Sequence, residues 1–299
     1  MGLKEKVAQT ILSNTVRPKR RKFGVEIESF YYKRGTIERI PVNDENYFCA
    51  SKLLESVNNA VRANSQYSYS LEPGGQLEWA SGPSTSLWEI KDQFDENTLI
   101  QEELCKSNGI DIGYFSVEPV SMPFDIRLID SEKYRLMNDL FLKRGNLGPW
   151  MMRNTTSIQI NIDFTDEEDA SQMAFVADAI QPLMSIMFSN SPFMNAKPTR
   201  ENLRWKIWGN TDNSRCGSLY DHSINTPKNF VEKYAEWLLQ RDVIFLDNMD
   251  GTFSAFDGNF GDMISLKDDN RLIFSAFRQI FTHVRFKNVL EVRASDRQQ

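Results

Sequence analysis

The chain has 299 residues, of which 40% are hydrophobic, 12% aromatic and 25% charged, with a formal net charge of -6 and a pI near 5.2. Such values describe an ordinary globular chain with ample material for a core; they exclude a disordered or fibrous protein and give no electrostatic reason to seek nucleic acid. No run of about 18 apolar residues offers a membrane span, and Cys49, Cys105 and Cys216 are scattered without a CxxC pair, so a reducing, cytoplasmic setting is the expectation.

No repeat, low-complexity tract or Gly/Ser/Pro-rich linker divides the chain, which predicts one integrated domain over residues 1–299. Apolar spacing predicts a first helix over 3–13. The basic cluster RPKRRK at 17–22 then reads as the solvated entrance to a strand over 22–31. In that strand, FGVEIESF alternates: Phe23, Val25 and Ile27 take one face, and Glu26 and Glu28 take the other, about 7 Å apart. A helix is expected over 46–63, followed by strands over 66–71 and 76–80 that flank Gly74 and Gly75. Gln76 and Glu78 share one face of the second of these, with Glu72 just across the turn. Further expectations are a helix over 86–107, a strand over 110–116 and a helix over 131–143.

SIQINIDF, in a strand over 155–164, opposes Ile158, Ile160 and Ile162 to Gln159, Asn161 and Asp163. The next helix, over 166–188, has Thr165 as its expected N-cap and Glu168 completing a capping box. Met173, Val176, Ile180 and Leu183 recur at helical spacing as its core face, and Pro182 is expected to kink the helix or end its regular part. Helices over 199–208, 228–239 and 271–281 precede a last strand over 283–293. There NVLEVRAS places Glu291 and Arg293 opposite Leu290 and Val292.

Four strands thus carry one apolar face and one face rich in side-chain oxygen. A solvated sheet face is the ordinary explanation for any one of them. Together they gather carboxylates that would repel one another unless a cation lay between them. With only two histidines and isolated cysteines, that cation is a hard one such as Mg2+, commonly held by carboxylates together with substrate phosphates. Neither GxxxxGK[ST] nor GxGxxG occurs in a strand-to-helix setting. Arg204, Arg215, Arg285 and Arg293 are the candidates for gripping an anion, because guanidinium can clamp carboxylate or phosphate in bidentate fashion.

FGVEIESF, SLEPGGQLEWAS, MMRNTTSIQINIDF, QPLMSIMFSNSPF, WGNTDNSRCG and VRFKNVLEVRASD resemble, in the same order, the motifs of the plant and proteobacterial type of glutamate-cysteine ligase, across roughly residues 22–296. The resemblance implies an α+β fold akin to glutamine synthetase and the guanido kinases. In such a fold a curved, mainly antiparallel sheet forms a funnel or half-barrel with helices packed outside. It implies ATP-dependent joining of the γ-carboxyl of L-glutamate to the amine of L-cysteine through a γ-glutamyl phosphate, with two or more Mg2+ ions. Glu26, Glu28, Glu72, Glu78 and Glu291 are then metal ligands. Gln76, Gln159, Asn161 and Arg285 are substrate or nucleotide contacts, Arg293 stabilises the transferring phosphoryl, and Arg204 and Arg215 clamp substrate. Family members usually continue well beyond the matching E-x-R, so a C-terminal helical part is expected to be absent here. Another amine acceptor, a non-catalytic ATP- or glutamate-binding relative and a metal-dependent phosphohydrolase remain alternatives.

Overall fold

In the computed structural model, residues 2–61, 65–248 and 250–298 are described; residues 62 and 63 of the expected second helix lie outside them. The sheet is built on β1 (Phe23–Lys33), the longest strand. It joins β2 (Ser68–Leu71), β3 (Leu77–Ala80), β4 (Ile110–Gly113), β5 (Ser157–Ile162), β6 (Val284–Phe286) and β7 (Leu290–Asp296) in the order β6-β7-β5-β1-β3-β2, with β4 attached to the far half of β1. Every pairing in this sheet is antiparallel, and the sheet is open. The single strand expected over 283–293 is two strands, because the chain reverses at Lys287–Val289, where the Lys287 N–H donates to the Val289 carbonyl at 3.0 Å.

Directly paired residues share a face. Arg285 lies opposite Glu291, Glu291 opposite Asn161, Gln159 opposite Glu26, and Glu28 opposite Glu78. The alternation of four separate segments therefore converges on one polar face.

Ten α-helices surround the sheet among the described residues: α1 (Leu3–Ile11), α2 (Ala50–Ala60), α3 (Leu87–Asn108), α4 (Glu132–Arg144), α5 (Gly148–Asn154), α6 (Glu167–Met187), α7 (Leu203–Gly209), α8 (Phe230–Leu239), α9 (Phe260–Ser265) and α10 (Asn270–Phe277). One core joins α1, α6, α8, α9 and α10 to Phe286 and Leu290, and a second joins α2 and α3 to Tyr69 and Trp79. Both lie behind the apolar face. The third core, built from α4, α5 and α7 around Phe141, Met152 and Ile207, stands over the polar face and supplies the roof of the site.

Two expectations for α6, its N-cap and its core face, are corrected. Its N-cap is Asp166, which accepts from the Asp169 N–H at 2.9 Å, while the Asp169 carboxylate accepts from the Thr165 N–H at 2.8 Å; the box is shifted by one residue. The helix also runs through Pro182 as far as Met187. Its expected core face is turned outward: Val176, Ile180 and Leu183 are 54%, 43% and 59% exposed, and only Met173 packs against the core. The buried stripe is instead Ala170, Ala174, Asp178, Gln181 and Ser185. Asp178 anchors it by accepting from Ser218 Oγ at 2.6 Å and the Tyr220 N–H at 3.2 Å.

Candidate active site

The turn between β2 and β3 is closed by the Gly75 N–H donating to the Glu72 carbonyl at 2.8 Å and the Glu72 N–H to the Gln76 carbonyl at 2.9 Å. Gly75 has φ +78, a left-handed conformation that glycine adopts without strain. Gly74 serves a different need. A Cβ there would stand 2.6 Å from Arg153 Cα and 2.8 Å from the Arg153 carbonyl oxygen, so the close approach it permits is that of the end of α5. Arg39 spans the contact, donating to the Gly74 carbonyl at 2.7 Å and to the Arg153 carbonyl at 2.8 Å.

This turn brings Glu72 up to the polar face of the sheet. Carboxylate oxygens of Glu28, Glu72 and Glu78 all lie within 4.8 Å of one another. Glu26 and Glu28 are held by the amides beside them: Asn161 Nδ2 donates to Glu26 at 2.9 Å and Gln159 Nε2 to Glu28 at 3.0 Å. Gln76 is spent on the turn, accepting from the Gly74 N–H at 2.9 Å and donating to the Thr155 carbonyl at 2.9 Å. The three amides expected to touch substrate therefore brace the acidic floor.

Burial, and then the charge of Glu72, pushes the Glu28 carboxyl up to about 8. Burial likewise raises Glu72, and it raises Glu78 well above the usual range, with Glu72, Glu26 and Glu28 adding to the effect. Three carboxylates this close cannot all hold charge without a cation. An all-oxygen donor set of this kind fits a hard divalent ion.

Over this floor lies a cavity of about 230 Å³. Its opposite wall is basic. Glu291 is fully buried and gripped by three cations: Arg285 through a two-pronged contact at 2.5 and 2.9 Å, Lys287 at 2.6 Å and Arg293 at 2.9 Å. Burial alone would raise the Glu291 carboxyl, but Arg285, Arg293 and Lys287 together hold it well below its ordinary value. With three positive charges against one negative, this wall carries a surplus of cation facing the floor. Glu291, expected as a metal ligand, stands apart from the Glu28, Glu72 and Glu78 cluster, with its oxygens engaged by the basic wall.

The arginines divide in the same way. Arg293 and Arg285 line the cavity, and the Arg293 guanidinium rests 5.8 Å from the ring centres of both Trp208 and Phe281. Arg204, on α7, lines an adjoining cleft with Trp205, Trp208 and His283; it donates to the Arg293 carbonyl at 3.0 Å, and its buried Nε has no partner among the described residues. His283 stacks on Trp205 with ring centres 4.0 Å apart, and burial with the neighbouring Arg204 pushes it down to about 3, so it stays neutral. Arg215 lines neither this cavity nor the adjoining cleft. Expected as a substrate clamp, it is fully buried and bonded to Asp212 at 2.9 Å, the Asp242 carbonyl at 2.9 Å and the Gln279 carbonyl at 3.4 Å. Cys216 beside it is buried, and burial pushes its thiol up to about 12.

Lys133, Tyr134 and Met137 from α4, Met151 and Met152 from α5, and Arg278 also line the cavity. Strand alternation does not reach these residues, and no sequence signal singled out Met151, Met152 or Arg278. Lys133 lies in SEKYRLM near the start of α4, but nothing in helical spacing shows that this turn overlooks Glu72 and Glu78, 61 and 55 residues earlier in the chain. For α5 there was no signal, since all seven of its residues are buried and it has no polar face.

An open antiparallel sheet presents clustered carboxylates on its polar face, beneath a cation-bearing wall, a donor set of the kind that suits a hard cation beside an anionic group. The chain belongs to the glutamate-cysteine ligase family 2, whose model matches residues 22–299. It is similar to the chloroplastic glutamate–cysteine ligase of Nicotiana tabacum, 28% identical over 318 residues, covering 98% of this chain and 59% of that protein. It is also similar to the chloroplastic glutamate–cysteine ligase A of Oryza sativa subsp. indica, 29% identical over 291 residues, covering 92% of this chain and 58% of that protein. The chain thus spans somewhat more than half the length of these curated relatives. Among solved structures, a glutamate–cysteine ligase from Francisella tularensis in complex with AMP shares the fold, with a TM-score of 0.51 at 15% identity, over 93% of this chain and 61% of that one. The cytoplasmic setting expected from cysteine usage is overturned by these relatives, which are chloroplastic enzymes. No helix among the described residues is long and apolar enough to cross a membrane.

Proposed function

We propose that this chain carries the catalytic site of an ATP-dependent glutamate–cysteine ligase. The observation that carries the reading is the placement of three mutually close carboxylates, Glu28, Glu72 and Glu78, across one cavity from the Glu291-centred wall of Arg285, Lys287 and Arg293. The relatives' names supply the substrates. Glu28, Glu72 and Glu78 would hold Mg2+, with Glu26 beside them, and the bound ions would neutralise the charge of the nucleotide phosphates. The polar sheet face then forms the inner wall of a funnel that opens at the cavity mouth.

In the first step an oxygen of the L-glutamate γ-carboxylate attacks the γ-phosphorus of ATP, and ADP leaves. In the second, the amine of cysteine attacks the carbonyl carbon of the γ-glutamyl phosphate, loses a proton and expels phosphate. Arg293 and Arg285 stand where charge builds on the transferring phosphoryl group, and their fixed contacts to Glu291 mean that little reorganisation is needed as the reaction proceeds. Arg204, with its unpartnered Nε, is placed to take a substrate carboxylate in the adjoining cleft. Met137, Met151, Met152, Trp208 and Phe281 keep the roof apolar, which limits hydrolysis of the acyl phosphate.

The test is to incubate the protein with ATP, Mg2+ and L-glutamate, with and without a panel of amines that includes L-cysteine, following ADP and product mass together. A γ-glutamyl product names the acceptor. Phosphate release that is indifferent to glutamate would replace this reading with a phosphohydrolase, and ligand binding without turnover would replace it with a non-catalytic relative.

A further inference from the structure

We infer that Lys133 and Arg278 form an oxyanion subsite at the cavity wall facing the carboxylates, taking a phosphate or carboxylate group of a substrate. The inference rests on the ligase reading for the identity of those substrates, but its geometry is independent of that reading. Lys133 projects from the first turn of α4, and Arg278 follows the last turn of α10; both line the cavity. Neither side chain has a hydrogen bond or ion pair among the described residues, unlike Arg285, Lys287 and Arg293, which all grip Glu291. The ammonium of Lys133 is held over the faces of Tyr134 at 4.8 Å and Phe245 at 6.0 Å, an arrangement that fixes the charge without supplying an acceptor for its three donors.

Two like charges, Arg278 and Arg285, act on this half-buried ammonium, opposed by Glu72 and Asp247. Once a divalent cation is held by Glu72, that counter-charge is drawn off and the basic corner is left in excess. Placing cations together under these conditions is costly unless an anion joins them. An oxyanion lying between the acidic floor and this corner would meet a metal on one side and ammonium and guanidinium on the other. Two sources have this chemistry: the polyphosphate of the nucleotide and the carboxylate of the amine acceptor.

Lys133→Met, Arg278→Met and Lys133→Arg are compared with the unaltered protein by calorimetric titration with inorganic tripolyphosphate, ADP and L-cysteine in the presence of Mg2+, and by the KM of each substrate in turnover. The expected result is that each Met variant weakens one class of anionic ligand, either the two polyphosphates or cysteine, about ten- to hundredfold, the worth of a charge-assisted hydrogen bond, with the other class within about twofold. Lys133→Arg retains most of the affinity, and the unfolding temperature stays close to that of the parent. A loss confined to tripolyphosphate and ADP assigns the subsite to the nucleotide. A loss confined to cysteine, and absent for cysteamine as acceptor, assigns it to the acceptor carboxylate. Unchanged affinities, losses spread equally over all ligands with reduced stability, or failure of the unaltered protein to bind any of the probes would overturn the subsite. Tripolyphosphate binding that depends on Lys133, in a protein that makes no γ-glutamyl product, would instead retain the subsite and discard the ligase reading.

Discussion

Replacing Gly74 with alanine should destabilise the protein by about 3 kcal/mol. The added Cβ would lie 2.6 Å from Arg153 Cα and 2.8 Å from the Arg153 carbonyl oxygen, against an ordinary carbon–carbon separation of about 3.5–4.0 Å. Both partners are backbone, so the turn and the end of α5 must part by about 1 Å. An overpacked core site of this kind costs about 1–3 kcal/mol. The same displacement stretches the two bonds by which Arg39 ties the Gly74 and Arg153 carbonyls together, at 2.7 and 2.8 Å, and each charged hydrogen bond is worth about 1.5–3 kcal/mol. Partial loss of one of these, added to the clash, gives the figure stated. For a chain of this size it corresponds to a fall of roughly 6–12 °C in the midpoint of thermal unfolding. Calorimetry on Gly74→Ala and Arg39→Lys reads this directly, and both variants should also shift the Mg2+ requirement of turnover, because Glu72 rides on the same turn. A Gly74→Ala protein that unfolds within about 1 °C of the parent would refute the contact and the reasoning with it.

In the absence of divalent cations, stability should fall as pH rises from about 5 to about 8. Glu28, raised in the fold to about 8, keeps its proton more tightly there than in the unfolded chain, so its contribution is fullest at low pH and is lost as the carboxyl ionises. Unfolding curves with a chelator should show this slope and saturating Mg2+ should flatten it; equal slopes would mean that no cation shares the site. Glu78→Gln should raise the Mg2+ needed for half-maximal activity by about tenfold or more, yet stabilise the metal-free protein by removing one member of the crowded floor. An unchanged Mg2+ titration would remove Glu78 from the metal ligands. Arg215→Lys should cost about 2–4 kcal/mol, since lysine cannot reproduce the fork that serves Asp212, Asp242 and Gln279, while leaving the KM values of the folded fraction unaltered. A large rise in KM without loss of stability would return Arg215 to the site.

The acidic floor was legible because strand alternation has a period of two and admits no intermediate answer. Once FGVEIESF, LEWA, SIQINI and LEVRA are strands, the faces of Glu26, Glu28, Glu78, Gln159 and Glu291 follow. Arginine roles were not legible, because a long side chain can turn either to a cavity or to its own backbone neighbourhood. The clue for Arg215 was present in Asp212, three residues earlier and now its ion-pair partner. For α6 the apolar period was real but faced outward, since the buried stripe is secured by the bonds of Asp178 to the segment at Ser218 and Tyr220, a partner 40 residues away. The fully buried α5 offered no periodicity at all, although it roofs the cavity and meets Gly74.

The pairing of β7 with β5 carries one extra residue. Val292 lies opposite Ile160 and Ser295 opposite Ile158, so Arg293 and Ala294 together face Gln159. The strand is thereby anchored at both ends, by Glu291 opposite Asn161 and by Asp296 opposite Ser157, while its middle is free of the ladder to β5; the Arg293 N–H bonds instead to the His283 carbonyl at 2.9 Å. Such a bulge bends a strand and re-aims a side chain. Strand length at this point therefore acts as an adjustment separate from the fold. Deleting Ala294 would leave both anchors in register and the sheet whole, yet draw Arg293 into line with the ladder and swing its guanidinium off the Trp208 and Phe281 rings. A change of one residue in length could in this way retune the reacting end of the cavity while every strand keeps its neighbours.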